Sequence, residues 1–315
     1  MLESIPGFLI VGLFLVVNII GLALLLHLQL GLAEIGNFGV VGFWGIGMYA
    51  FGVLWVRVDW SLSEPLPFLI SLVFGTAVAG LAGLIVGWLI ADLDVDGQLV
   101  GTLGFATIVV ILATTQEELT GGTFGMGGLN FPYDLGTIKA NEITWLGVVI
   151  LVVAAILYYV SRVHRAPYGR LLIALGANEP LARSLGKRTF RTKLWLFAFS
   201  SALMGLLGGL YGVMVHLLSP LEIGVEVTLA AIVGLVLGGS ARVWGAVIGV
   251  LLTVGLFDVV IQAYAPIPAD WSGQALPVLR EVLFGAALIL MLIFRPFGLL
   301  GDMRREKLSR SMYGD

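Results

Sequence analysis

Acidic residues in apolar surroundings are the first place to look for chemistry in this chain. Asp258 stands inside the run Leu256-Phe257-Asp258-Val259-Val260. An ionisable group at such depth marks either a transport path or a paired structural charge, and both readings stand. Glu222 and Glu226 lie at the edge of another apolar run, from which they can reach an interface. Asp92-Leu93-Asp94-Val95-Asp96-Gly97 opens like a calcium loop, but the Glu needed at its twelfth position is replaced by Leu103. The segment therefore reads as a solvated turn. Gly121 to Gly128 is rich in glycine yet lacks the Gly-Lys-Ser/Thr with which a P-loop holds phosphates. Cysteine is absent, which excludes disulfides, thiolate catalysis and Cys-bound metals. His27, His164 and His216 are too scattered for a zinc motif, and no HExxH sequence is present. His27 and His216 read as interfacial or helix-bonded. No catalytic residue, metal or cofactor is expected.

The elements that must hold these residues follow from composition. Of the 315 residues, 59% are hydrophobic and 12% charged, about half the charge of a soluble domain. The 43 glycines are roughly twice the usual frequency of about 7%. These figures exclude an ordinary soluble enzyme, a nucleic-acid binder and a disordered chain. A net charge of −3 gives no field for polyanions. No cleavable signal peptide is expected, since Glu3 precedes the first apolar run and no basic segment leads it.

A helix needs about 20 mostly apolar residues to cross the hydrocarbon layer. Segments 7–30, 38–56, 66–91, 98–116, 143–161, 194–218, 244–264 and 276–294 qualify, and 228–241 is a short ninth. The expectation is an all-α polytopic bundle of about eight to nine membrane segments, forming one domain over 1–315. Eight of the 17 Lys and Arg lie between Arg162 and Lys193, and five more between Arg295 and Arg310. Loop 162–193 and tail 295–315 are therefore placed in the cytoplasm, and the acidic segment 117–142 outside. Counting back, the N-terminus falls outside unless an early segment is re-entrant. The polar interruption Glu34 to Asn37 points to a broken or re-entrant segment near 31–50, tolerated only where protein satisfies the freed backbone. Trp60, Trp145, Tyr158, Tyr159 and Trp271 read as interface anchors.

Glycines four apart let membrane helices approach closely. Gly83/Gly87, Gly208/Gly212, Gly234/Gly238 and Gly245/Gly249 have that spacing. The denser run Gly36 to Gly47 either packs helices or also lines a substrate path. Glu-Ile-Gly occurs at Glu34 and again at Glu222, a weak trace of an internal repeat. Within the basic loop, Asn178 can cap a short helix, Pro180 suits its first turn, and Gly186 can end it in the left-handed region. Such a helix near 178–186 is either a lever for a partner or part of a solvated basic loop.

Several blocks then resemble one family in order. Tyr168 to Gly186 (YGRLLIALGANEPLARSLG) is similar to the coupling loop of LivM-type permeases of branched-chain amino-acid ABC importers. Lys193 to Tyr211 (KLWLFAFSSALMGLLGGLY) resembles that family's next helix. Gly31 to Tyr49 (GLAEIGNFGVVGFWGIGMY), Thr120 to Leu129 (TGGTFGMGGL), Leu237 to Gly249 (LGGSARVWGAVIG) and Arg295 to Gly301 (RPFGLLG) agree with its other blocks. Leu181 departs from the family's usual alanine, Lys187 and Arg188 from a small apolar-polar pair, Glu34 and Asn37 from Ser and His, and Asp94 and Asp96 from arginines.

The resemblance implies a plasma (inner) membrane permease subunit with two ABC ATPase subunits, a second homologous LivH-like permease, an external solute-binding protein and membrane lipid as partners. It implies no nucleic acid. ATP hydrolysis would reside on the partners, so the chain would not itself be an enzyme. It places ATPase coupling at Gly169, Arg170, Asn178, Glu179, Ala182 and Gly186, while Glu34, Asn37, Gly42, Gly45 and Asp258 are expected along the translocation path. Alternatives are a permease of the same type for urea or short amides, and an ion-coupled secondary transporter.

Overall fold

The structure is a computed structural model and describes residues 7–61, 63, 65–261, and positions 282, 285, 286, 289, 293 and 298–300. Helix α1 (Gly7–Leu26) continues through wider π-helical turns at His27–Leu32. It is followed by α2 (Val40–Arg57), α3 (Leu66–Ile90), α4 (Val95–Thr115), the single turn α5 (Glu117–Thr120) and α6 (Ile138–Arg165). Then come α7 (Pro167–Ala177), α8 (Glu179–Ser184), α9 (Thr189–Val215), α10 (Val225–Gly238) and α11 (Val243–Val250), the last continuing as π turns over Leu251–Ile261. A short ribbon pairs β1 (Met126–Gly127) antiparallel with β2 (Leu217–Leu218), Met126 opposite Leu218.

Among the described residues, seven helical segments, from Gly7–Leu32 to Pro220–Gly238, are long and apolar enough to cross a membrane, and Val243–Leu256 is a shorter apolar helix. This agrees with the expected bundle. Most of the expected span 276–294, the anchor Trp271 and most of tail 295–315 lie outside the described residues. Helix α6 runs further than 143–161 at both ends. Thr137 accepts a hydrogen bond from the Ala140 amide at 3.3 Å and caps its start. Ala166 before Pro167 is extended, which ends it.

Helix α9 forms the centre of the bundle, with α2 and α3 against it. A Cβ on Gly47 would stand 2.2 Å from the Gly205 Cα, so these backbones touch. The four-spaced pairs serve close contacts: Gly83 and Gly87 meet α9, Gly208 meets α2, Gly212 lies against Leu218 of β2 with Met48 of α2 beyond, and the other two pairs close the α10–α11 hairpin. Asn18 Nδ2 donates to the Leu207 carbonyl at 3.1 Å and Gln29 Nε2 to Ser200 Oγ at 2.7 Å, so α1 runs opposite to α9. Helix α2 runs with α9, since Trp44 faces Gly208 and Gly52 faces Leu218. The segment near 31–50 is thus broken, and α2 continues to the far face. Gly7 lies on the face opposite the basic loop, where the span count put the N-terminus.

The two Glu-Ile-Gly tripeptides occupy related places. Each follows a long helix and leads into α2 or α10. Glu34 (φ 52°) and His216 (φ 58°), which follow the two long helices, are the non-glycine residues with left-handed backbone among the described residues. The two following helices run oppositely, with Val41 beside Thr228 and Gly45 beside Ile223.

Candidate functional site: the helix break and the basic loop

A helix that begins inside a membrane exposes amide groups with no intrahelical partner. Here side chains supply the acceptors. Gly36 donates to Gln98 Oε1 at 2.9 Å, Phe38 to Thr102 Oγ1 at 2.9 Å, Gly39 to Asn37 Oδ1 at 2.8 Å and Val41 to Thr228 Oγ1 at 3.1 Å. Asn37 Nδ2 donates in turn to Gln29 Oε1 at 2.8 Å. Gln29, Asn37, Gln98, Thr102, Ser200 and Thr228 are all buried. Asn37 therefore uses both ends of its amide inside this network. Gly42 lies against Phe105 and Ala106, and Gly45 against Ile223. Among the other residues expected along a path, Glu34 is exposed, and Asp258 is in the π turns with its side chain outside the described residues.

The basic loop holds two helices where one was expected. Gly169 permits the sharp turn from α6 into α7, since a Cβ there would stand 2.2 Å from the Val163 carbonyl oxygen. Helix α8 has the caps its sequence suggested. Asn178 Oδ1 accepts from the Leu181 amide at 2.9 Å. At the other end Lys187 donates to the Ala182 carbonyl at 3.2 Å and Gly186 to the Arg183 carbonyl at 3.0 Å. With Gly186 at φ 76°, this is the Schellman arrangement, which needs a left-handed residue at that point. Ala182 is buried beneath the helix.

Glu179 faces inwards. Its carboxylate accepts from Lys193 of α9 and, at 3.3 Å, from Arg183 Nη2. Burial pushes the Glu179 carboxyl up, but the hydrogen bond and charge of Lys193, with Thr189 and Arg183, outweigh it and hold the group below the usual carboxylate range. Arg183 also reaches Asp92 at 3.9 Å, on the turn between α3 and α4. On that turn Asp94 Oδ1 accepts from the Gly97 amide at 3.0 Å and caps α4. Asp92 to Asp96 are exposed, so the segment is the solvated turn its sequence suggested, and it leads into α4.

The residues expected to couple thus build α8 more than they face a partner. Arg170 is exposed, but Gly169 and Ala182 are buried. The outward face carries Leu181 and Leu185, 57% and 71% exposed, which sequence reading missed; the signal was Leu181 itself, an apolar residue in place of a small one. Helix α7 touches the break. A Cβ on Gly176 would stand 3.0 Å from Glu34 Cγ and 3.0 Å from the Leu32 carbonyl oxygen.

The buried His27 ring pairs its Nδ1 with the Ser240 carbonyl at 2.8 Å and leaves Nε2 without a hydrogen-bond partner among the described residues, while the exposed His216 pairs its Nδ1 with the Leu129 carbonyl at 2.6 Å. The C-terminal block also docks: Leu299 and Leu300 donate to the carbonyls of Leu237 and Gly238 at 2.8 and 3.0 Å, which satisfies the end of α10. Two sequence blocks that looked separate, LGGS and FGLLG, thus meet.

Comparison with known proteins agrees with this architecture. Residues 8–292 match the family described as branched-chain amino acid transport system, permease component. The chain is 27% identical over 308 residues to the high-affinity branched-chain amino acid transport system permease protein LivM of Escherichia coli, covering 90% of this chain and 68% of the relative. It is 24% identical over 256 residues to a probable LivM of Methanocaldococcus jannaschii, covering 76% and 71%. A more distant match is the ribose import permease protein RbsC of Bacillus subtilis, 28% identical over 235 residues, covering 65% and 70%. No solved structure matches. The match to the family along nearly the whole helical bundle, with its loop and helix break, makes this chain a member of the branched-chain amino acid transport permease family.

Proposed function

We propose that the chain is the membrane subunit of an ABC importer for branched-chain or other hydrophobic amino acids, multi-pass in the inner membrane. It works with two ATPase subunits, a second homologous permease of the LivH type and an external solute-binding protein. The basic loop lies in the cytoplasm, as does the C-terminal tail, and segment 117–142 lies outside. The observation that supports this reading most is the contact of Gly176 with Leu32 and Glu34. Through it, a partner that shifts α7 and α8 presses on the helix break. Gly169, Asn178, Glu179, Ala182 and Gly186 shape the lever, and Arg170, Leu181 and Leu185 face the ATPase. Glu34, Asn37, Gly42, Gly45 and Asp258 stay assigned to the path or its walls, with Asn37, Gly42 and Gly45 as wall.

The test is ATP-driven uptake by the reconstituted importer, with ligand binding by its external protein measured separately. Glu179→Ala and Gly186→Pro should abolish uptake with the protein still in the membrane. Normal uptake and normal ATPase co-purification in both variants would refute the coupling assignment. A cognate binding protein that holds urea, and no amino acid, would refute the substrate.

A further inference from the structure

Helix α9 is interior over most of its length. It reaches the surface along one stripe in its first half, Arg191, Trp195 and Phe199, spaced four apart. The neighbouring stripe belongs to the last turns of α6. There the Tyr159 ring packs on Phe199 at 5.2 Å between centroids and closes the floor between the two helices. Tyr158 beside it is 63% exposed and Trp195 58%. One turn on, Arg162 Nε donates to Tyr158 Oη at 3.0 Å, and the guanidinium lies 5.2 Å from the ring centre. The Tyr168 hydroxyl, in the first turn of α7, donates to the Thr192 carbonyl at 3.4 Å and ties α7 to the start of α9. Arg162 and Arg191 are both exposed on these bordering stripes of α6 and α9, towards the basic loop.

We propose that Arg162 and Arg191 flank one gap, between the exposed stripes of α6 and α9, that binds the headgroup of an anionic phospholipid from the leaflet on the basic face. The charge is unmatched among the described residues. The acids on that face with ion-pair partners are committed elsewhere, Glu179 to Lys193 and Arg183, and Asp92 to Arg183. Neither Arg162 nor Arg191 has an ion pair among the described residues. Arg162 is held by its Nε and its ring contact, so the terminal nitrogens are left for a phosphate in the forked geometry that arginine favours. Trp195, Phe199 and Tyr158 supply the apolar wall below, where acyl chains lie and aromatic rings prefer the interface. Basic pockets between spans on the cytoplasmic side are where anionic headgroups dock. Simple snorkelling of the arginines to the aqueous layer is the competing reading, and it has no lipid selectivity.

The experiment uses the purified full chain in nanodiscs of equimolar phosphatidylglycerol and phosphatidylcholine, with retained lipid measured by native mass spectrometry. The wild type should retain phosphatidylglycerol. Each of Arg162→Gln and Arg191→Gln should weaken retention about fivefold. Arg242→Gln, an equal charge loss at the turn between α10 and α11, should leave it unchanged. Independently, brominated phosphatidylglycerol should quench tryptophan fluorescence more than brominated phosphatidylcholine, and Trp195→Phe should remove the difference. Equal loss in Arg242→Gln would show a general field and overturn the proposal, as would full retention in the double arginine variant. So would cross-linking of Phe199→Cys to the second permease in the assembled importer, since protein would then cover the gap.

Discussion

The tie between Glu179 and Lys193 gives the sharpest test of the lever. Lys193 has a side chain only 11% exposed, and that of Glu179 is 25% exposed. Removing one partner of a fully buried pair costs about 3–5 kcal/mol, because the other charge is stranded. An exposed pair is worth about 0–1 kcal/mol. This pair lies between, so Glu179→Ala should loosen α8 from α9 by about 2 kcal/mol, or roughly 30-fold in the local opening equilibrium. Hydrogen exchange of the amides of Ala182 to Lys187 reads that opening directly. Protection should fall by about that factor in Glu179→Ala. It should fall similarly in Lys193→Met, and much of it should return in the double variant, where no charge is stranded. Two single effects that simply add, or unchanged protection in Glu179→Ala, would refute the claim that this pair anchors the loop helix.

The same carboxyl sets a pH dependence. Its folded value is held below the ordinary one, so its contribution is complete above the usual carboxylate range and is lost as pH falls through the lowered value; α8 protection should be flat from neutral to mildly acidic pH and collapse only below it. Asn178→Ala removes the α8 cap and should cost about 1 kcal/mol, seen as faster exchange confined to Leu181 to Leu185. Asn37→Ala strands Gln29 and the Gly39 amide and should cost about 1–3 kcal/mol, read as a lower melting temperature of the purified chain. Gly47→Leu should prevent assembly of a monodisperse protein, while Gly104→Ala, with open space at its Cβ, should be neutral by size-exclusion profile. In the Cys-free chain, Asp94→Cys should label from the cytoplasm and Asp59→Cys from outside; the reverse pattern would invert the topology.

What was legible in the sequence was what local physics fixes. The α8 caps are short-range chemistry, and Asn178 and Gly186 do what their residue types permit. The four-spaced glycines report close packing, and all but Gly212, which meets Leu218 of the ribbon first, lie directly against a partner helix. Hydropathy located the spans but not their ends, because α6 extends through Glu142 and Arg162 into regions where composition no longer distinguishes helix from loop. Helix α7 was missed because its amphipathic pattern lies within a basic loop and has no strong cap. The network at the break was not legible at all. Gln98, Thr102, Ser200 and Thr228 are ordinary polar residues on apolar spans, and only the tertiary approach of α4, α9 and α10 gives them donors. The docking of Leu299 and Leu300 on α10 was hidden for the same reason: partners about 60 residues apart in sequence leave no periodic signal.

The break therefore has a character that neither the glycines nor the charges gave it. Four amides at its edge are satisfied by side chains of α4, α10 and the break itself. A displacement of α10 against α2 would strip Val41 of Thr228, and a displacement of α4 would strip Gly36 and Phe38. An amide left unsatisfied costs about 1–3 kcal/mol, a scale that matches the few kcal/mol separating alternative conformations of a protein. One lost bond is thus within reach of a binding partner, whereas losing all four together is not. Rearrangement at the break must be sequential or must re-form bonds as it proceeds. The contact of Gly176 with Glu34 and Leu32 places the loop at the one edge of the break that carries none of these four bonds. A push from the loop can then shift the turn at Glu34 while the network still holds the start of α2, which is what a lever acting on a fixed pivot requires.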